Sequence, residues 1–152
     1  MARYVRSIDV PTSPEATFDY MARFSNAEEW DPGVAEAEMV TPAPVGPGSA
    51  FVLMVKAVGR RLPFRYEVAE YERPHSVTLV ARRSPLVSRD TITVRPTSAG
   101  AQLTYDADLR LTGPARIFDP VLALAFRRIG DRALAGLEAT FARGIPARQP
   151  AS

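Results

Sequence analysis

The run from Gly113 to Arg143, GPARIFDPVLALAFRRIGDRALAGLEATFAR, constrains the fold more than any other part of the chain. It reads as one long, Pro-interrupted amphipathic helix, and it follows six short alternating segments that read as strands. A lone helix of that length must bury its apolar stripe. The only large apolar surface offered by the preceding sequence is one face of a curved antiparallel sheet. Such an arrangement encloses a cavity more readily than a solid core, and the expected function rests on that cavity.

The rest of the chain supplies the sheet. Residues 3 to 10 alternate and end at Pro11, as a first strand would. Ser13-Pro14-Glu15 then starts a helix, with serine as the cap, proline at the first helical position and glutamate at the positive end of the dipole. Phe18 and Met21 share one face of it, and Ser25-Asn26 closes it and opens a further turn, AEEW, before the Asp31-Pro32-Gly33 break. Strands are predicted at Val34–Thr41, Ser49–Val58, Leu62–Tyr71, Ser76–Arg83, Leu86–Arg95 and Ala101–Leu111. The connections between them are too short for crossover helices, so neighbouring strands are antiparallel.

Alternation assigns faces. Ser88, Asp90, Ile92 and Val94 share a phase, as do Leu103, Tyr105, Ala107 and Leu109, Phe64, Tyr66 and Val68, and Val77, Leu79 and Ala81. The concave face is therefore mostly aliphatic and aromatic, with Tyr66, Asp90, Tyr105 and Ser88 as its polar groups. The strand around Phe51 is apolar in both phases, which leaves its orientation open. In the terminal run, Asp119-Pro120 divides a short GPARIF piece from a long helix starting at Pro120. Its stripe passes through Phe118, Leu122, Ala125, Phe126, Ile129, Ala133, Gly136 and Thr140. Bulky residues fill the first half and small ones the second, which places any unfilled volume toward Phe118–Ile129.

Composition narrows the chemistry. At 152 residues the chain is long enough for one domain that buries roughly 68–70% of its unfolded surface. Residues 1 to 143 are expected to form it, with 144 to 152 as a disordered tail. There is no cysteine, so disulfides, thiolate chemistry and cysteine-ligated metals are excluded. No stretch approaches the roughly 20 apolar residues of a membrane span, and the N-terminus lacks the apolar core of a signal peptide, so a cytoplasmic location is expected. The net charge of +2 does not suit a general polyanion binder, and no nucleic-acid partner is expected. Acidic residues gather between Ser25 and Val40, and arginines in the last helix, as solvated faces.

Asp90 is the unusual inner residue. A carboxylate among Ile92, Val94 and Tyr105 must be hydrogen-bonded or paired, and burial would raise its pKa as proton-transfer groups require. Tyr105 is its nearest inner neighbour if the last two strands form a hairpin. His75, the only histidine, lies in the ERPH turn, and one exposed histidine supports neither a metal site nor a triad. Gly46 and Gly48 precede no helix and make no phosphate cradle. Arg60, Arg61, Arg82 and Arg83 read as a solvated rim at hairpin ends.

Together, VPTSPEATFDYMARFSNAEEWDP, YEVAEYERPHSVTLVAR, RDTITV and the terminal run resemble the START-like superfamily, in particular its polyketide cyclase/dehydrase and lipid-transport branch. The resemblance covers about residues 3 to 143. It implies a helix-grip α+β fold, with about seven strands wrapped around the C-terminal helix and two short helices between the first two strands. It also implies a hydrophobic small molecule (lipid, quinone or polyketide-like) held between sheet and helix, with no cofactor and no metal. The positions matching the family's cavity are Trp30, Phe51, Leu53, Phe64, Tyr66, Leu79, Asp90, Tyr105, Phe118 and Leu122. Binding or transport is the first expectation, by a monomer or homodimer. A cyclase or dehydratase with Asp90 and Tyr105 handling protons is the second, and a regulatory protein-interaction module the third.

Overall fold

A computed structural model describes residues 2–57 and 59–145. Seven strands, β1 (Ala2–Val10), β2 (Val34–Met39), β3 (Ala50–Ala57), β4 (Arg60–Glu72), β5 (Ser76–Arg83), β6 (Leu86–Thr97) and β7 (Gly100–Leu111), form one antiparallel sheet in the order β1-β7-β6-β5-β4-β3-β2. Consecutive strands from β2 to β7 are hairpin neighbours, and β1 joins β7 at the far edge. Register shifts at Val34/Glu36 and Val68/Glu70 mark bulges, which bend and twist a strand locally and so help the sheet curl into a half-barrel.

The segment from β1 to β2 crosses the open side of this half-barrel. Helix α1 (Pro14–Ala22) starts as its sequence dictates, with Ser13 Oγ accepting the Ala16 N–H at 3.2 Å and proline in the first turn. A 3-10 turn (Phe24–Asn26) and the single-turn α2 (Ala27–Trp30) follow. Asn26 Nδ2 donates to the Tyr20 carbonyl at 2.8 Å and locks the bend between them. Arg73 in the β4–β5 turn pairs bidentately with Asp19 at 2.7 Å, tying α1 to that end of the sheet. Beyond α2, Glu28 Oε1 accepts the Ala37 N–H of β2 at 2.7 Å.

The terminal run divides where Asp119-Pro120 predicts, into a 3-10 segment (Gly113–Phe118) and the 25-residue α3 (Asp119–Arg143). The second half of α3 grips. Gly130, Ala133, Leu134, Leu137, Thr140 and Phe141 are buried. A methyl on Gly130 would lie 2.6 Å from the Tyr4 ring, and one on Gly136 would lie 2.0 Å from the Trp30 carbonyl oxygen. Absent side chains thus let the helix backbone touch both partners, and of the two glycines Gly136 belongs to the small second half of the predicted stripe. Tyr4 Oη donates to Asp131 at 2.6 Å and fastens the middle of α3 to β1.

The stripe itself needs correction. Its buried centre runs through Gly130, Leu134, Leu137 and Phe141, rotated from the predicted line through Ile129, Ala133, Gly136 and Thr140. Ile129 is half exposed, and Phe118 is 59% exposed. Contact with β1 and α2, rather than with the centre of the sheet, turns the helix that way. The tail predicted from residue 144 lies outside the described residues from 146 onward. Within them, Ile145 packs against the core.

Candidate functional site

Strand pairing brings the predicted residues together. Directly opposed residues share a face, so the register Tyr66–Ala81–Ser88–Leu109 is one row across the inner face. Val68–Leu79–Asp90–Ala107–Tyr4 is the next. Phe51 pairs with Tyr66 and Leu53 with Phe64, which settles the open phase of β3 and turns both inward. Trp30, Phe51, Leu53, Phe64, Tyr66, Leu79, Asp90 and Tyr105 are all buried. Leu122 is partly buried early in α3, whereas Phe118 stands apart on the exposed 3-10 segment.

Aromatic contacts fasten the inserted helices to this face. Trp30 meets Tyr105 edge-on with ring centroids 5.7 Å apart, and Phe24 meets Tyr66 at 5.0 Å. Such T-shaped pairs add roughly 0.5–1.5 kcal/mol to the area they bury. Trp30 therefore closes the core between α2, α3 and β7.

Within this apolar lining lies one polar chain. Tyr105 Oη donates to Asp90 Oδ2 at 2.5 Å, and Ser88 Oγ donates to Asp90 Oδ1 at 3.2 Å. Tyr66 Oη and Ser88 Oγ are 2.9 Å apart. Among the described residues, no arginine or lysine forms an ion pair with Asp90. Burial pushes the Asp90 pKa up to about 6, against the hydrogen bonds from Tyr105 and Ser88, which favour the anion. The Tyr66 and Tyr105 hydroxyls are held above their ordinary range, by burial first and by the Asp90 charge second.

Sequence reasoning missed a second carboxylate. Asp31, directly after Trp30, accepts the Gly33 N–H at 2.8 Å, and burial raises its pKa despite that bond and nearby Lys56. Its charge reaches Asp90, Tyr66 and Tyr105, raising the pKa of each. The position was legible only as turn punctuation. His75 is exposed, as predicted, and no metal-holding cluster of His, Asp and Glu exists among the described residues. A hollow of about 190 Å³ lined by Val80, Arg82, Val87, Arg89, Asp108 and Arg110 lies on the opposite face of the sheet. The registers put these six residues out of phase with Asp90.

The arrangement holds one titratable carboxylate, in contact with a phenol, inside an apolar shell. It can orient a polar group of a bound hydrophobe, and it can take or return a proton near neutrality.

Known proteins share this architecture. A START superfamily protein from Mycobacterium smegmatis superposes with a TM-score of 0.77 at 14% identity, covering 94% of this chain and 99% of that one. A Thermus thermophilus protein does so with a TM-score of 0.73 at 16% identity, covering 95% and 98%. Both likenesses concern the fold, which is the helix-grip fold expected from the sequence. No helix among the described residues is long and apolar enough to cross a membrane. An uncharacterized protein of Mycobacterium tuberculosis is 30% identical over 133 residues, covering 86% of this chain and 91% of its own. The family described as polyketide cyclase / dehydrase and lipid transport matches residues 1–142, and the chain belongs to it.

Proposed function

We propose that the protein binds a hydrophobic small molecule non-covalently against the inner face of its sheet, to carry or present it. The observation behind this reading is an apolar and aromatic inner face interrupted by a single hydrogen-bonded polar chain, Tyr66–Ser88–Asp90–Tyr105. Family membership supports it at the level of the fold. Beside that face, the first half of α3 leaves Val121 and Leu124 in solvent, while Phe126 packs against the core. A ligand burying ~300 Å² of apolar surface would gain roughly 7 kcal/mol before the costs of association, so generic hydrophobes should bind in the micromolar range or weaker.

Trp30 is the only tryptophan, is buried and touches Tyr105, so it reports directly on this region. Titration with neutral polycyclic and long-chain compounds should change its emission saturably, and native mass spectrometry of freshly purified protein should show a bound small molecule. No saturable change with any such compound would sink the reading.

One observation favours a second reading, a cyclase or dehydratase acting on a polyketide-like chain. The 2.5 Å contact from Tyr105 to a carboxylate whose pKa is raised to about 6 suits proton transfer. Asp90→Asn should then lower turnover by roughly 10²–10⁴-fold while substrate still binds. If Asp90→Asn leaves turnover intact, this second reading fails and the carrier reading stands.

A further inference from the structure

With Asp90 ionised, as it is at mildly alkaline pH, the hydrogen positions in the polar chain follow from its geometry. Ser88 has one hydroxyl hydrogen, and it points to Asp90 Oδ1. Ser88 Oγ therefore receives rather than gives in its 2.9 Å contact with Tyr66, and Tyr66 Oη is the donor there. Tyr105 spends its hydrogen on Asp90 Oδ2. All three hydroxyl hydrogens thus run inward to one carboxylate, and what the chain has left to offer is lone pairs, on Tyr66 Oη, Tyr105 Oη and Asp90 itself.

The charges that act on Asp90 and the two tyrosines have the same sign, the nearby Lys56 acting on Asp31 instead. Asp31 adds a second carboxylate whose field is felt at Asp90 and both tyrosines, and Asp106 contributes more weakly at Asp90. The arginines of α3 nearest in sequence, Arg127, Arg128 and Arg132, are exposed. Arg6, opposite Tyr105 in the register, is turned to Asp131 at 3.0 Å.

Given the reading of the inner face as a ligand site, on which this step rests, we infer that the site selects hydrophobes presenting a hydrogen-bond donor, such as a phenol, alcohol or amine, and rejects those ending in a carboxylate. A donor group satisfies lone pairs that would otherwise be buried unpaired. A carbonyl or ether oxygen meets no free hydrogen. A carboxylate meets, in addition, two like charges with little water to screen them.

Three probes of one size test this by calorimetric titration at mildly alkaline pH: 2-naphthol, 2-methoxynaphthalene and 2-naphthoate. The expected order is naphthol first, methoxynaphthalene about tenfold weaker for the lost hydrogen bond, and naphthoate weaker still. Asp90→Asn replaces an acceptor-only group by one carrying an N–H pair, so the gap between naphthol and the other two should shrink severalfold. Tyr105→Phe removes a hydroxyl whose hydrogen was already committed and frees an Asp90 lone pair, so the naphthol preference should persist. Near-UV circular dichroism checks that each variant is folded, and the ranking in the unmodified protein decides the question if one is not. Equal binding of the three probes, or naphthoate binding best, overturns this inference while leaving the ligand site standing. Failure of all three to bind overturns the site and the inference together.

Discussion

The two halves of α3 share one helix and play different parts. From Gly130 to Phe141 the helix presents glycine, alanine and large apolar side chains to β1, α2 and α1, and six residues are buried. From Asp119 to Ile129 it is as apolar in composition, yet Val121 and Leu124 stand about two-thirds exposed. Hydrophobic content alone does not decide which half packs. The second half has glycines where a neighbouring ring and a carbonyl come close; the first half has bulk and no such partner. Stability should thus reside mainly in the second half.

The largest expected effect breaks the grip itself. Phe141 is buried and meets Tyr20 edge-on at 5.6 Å, so Phe141→Ala should cost about 3–5 kcal/mol in urea unfolding. A loss below about 1 kcal/mol would show that the second half does not anchor the fold.

The buried acid sharpens the contrast between the gripped end and the polar chain. The Asp90 pKa is raised from 3.8 to about 6 on folding, so the native state binds the proton more tightly than the unfolded chain. This contribution to stability is fully present below about pH 4 and is lost as pH rises through about 6. At 1.36 kcal/mol per unit, the loss is about 3 kcal/mol, and it should be absent from Asp90→Asn. Unfolding free energies of both proteins measured from pH 4 to 8 test the sign, since a difference that stays flat or reverses contradicts it.

Gly136→Ala comes next. Alanine favours a helix over glycine by about 1 kcal/mol, but here its methyl meets the Trp30 carbonyl, so a net loss of roughly 1–3 kcal/mol is expected in thermal melts. A stabilised variant would mean that α2 and α3 are not in backbone contact. Smallest is Leu124→Ser in the first half, which should change stability by no more than about 0.5 kcal/mol. A larger loss would erase the distinction between the halves.

Much of this was legible in the sequence because alternation and turn residues are local signals. The predicted strands match the observed ones to within a few residues, and the inner phases assigned to β4, β6 and β7 are the buried ones up to the half-buried Leu109, while β5 is buried in both phases. The pairing of Asp90 with Tyr105 followed from hairpin adjacency. What required three dimensions was contact across more than one strand. Tyr66 meets Ser88, two strands away and 22 residues on, only because of register. Asp31 looked like part of a turn, and the inward reach of its charge depends on α2 docking against β7 through Trp30. The rotation of α3 depended on where two glycines find a ring and a carbonyl, which periodicity does not encode.

Strand β2 ends the sheet, and a final strand with free amides invites another chain to continue the ladder. Here the Ala37 amide is already occupied by the Glu28 carboxylate, while Glu36 and Glu38 project along the same strand into solvent. A second molecule approaching that border meets a taken hydrogen-bond position and two exposed carboxylates, one of them beside Arg61 at 3.8 Å. The acidic stretch that reads in one dimension as a solvated surface thus leaves, in three, few free positions along this border.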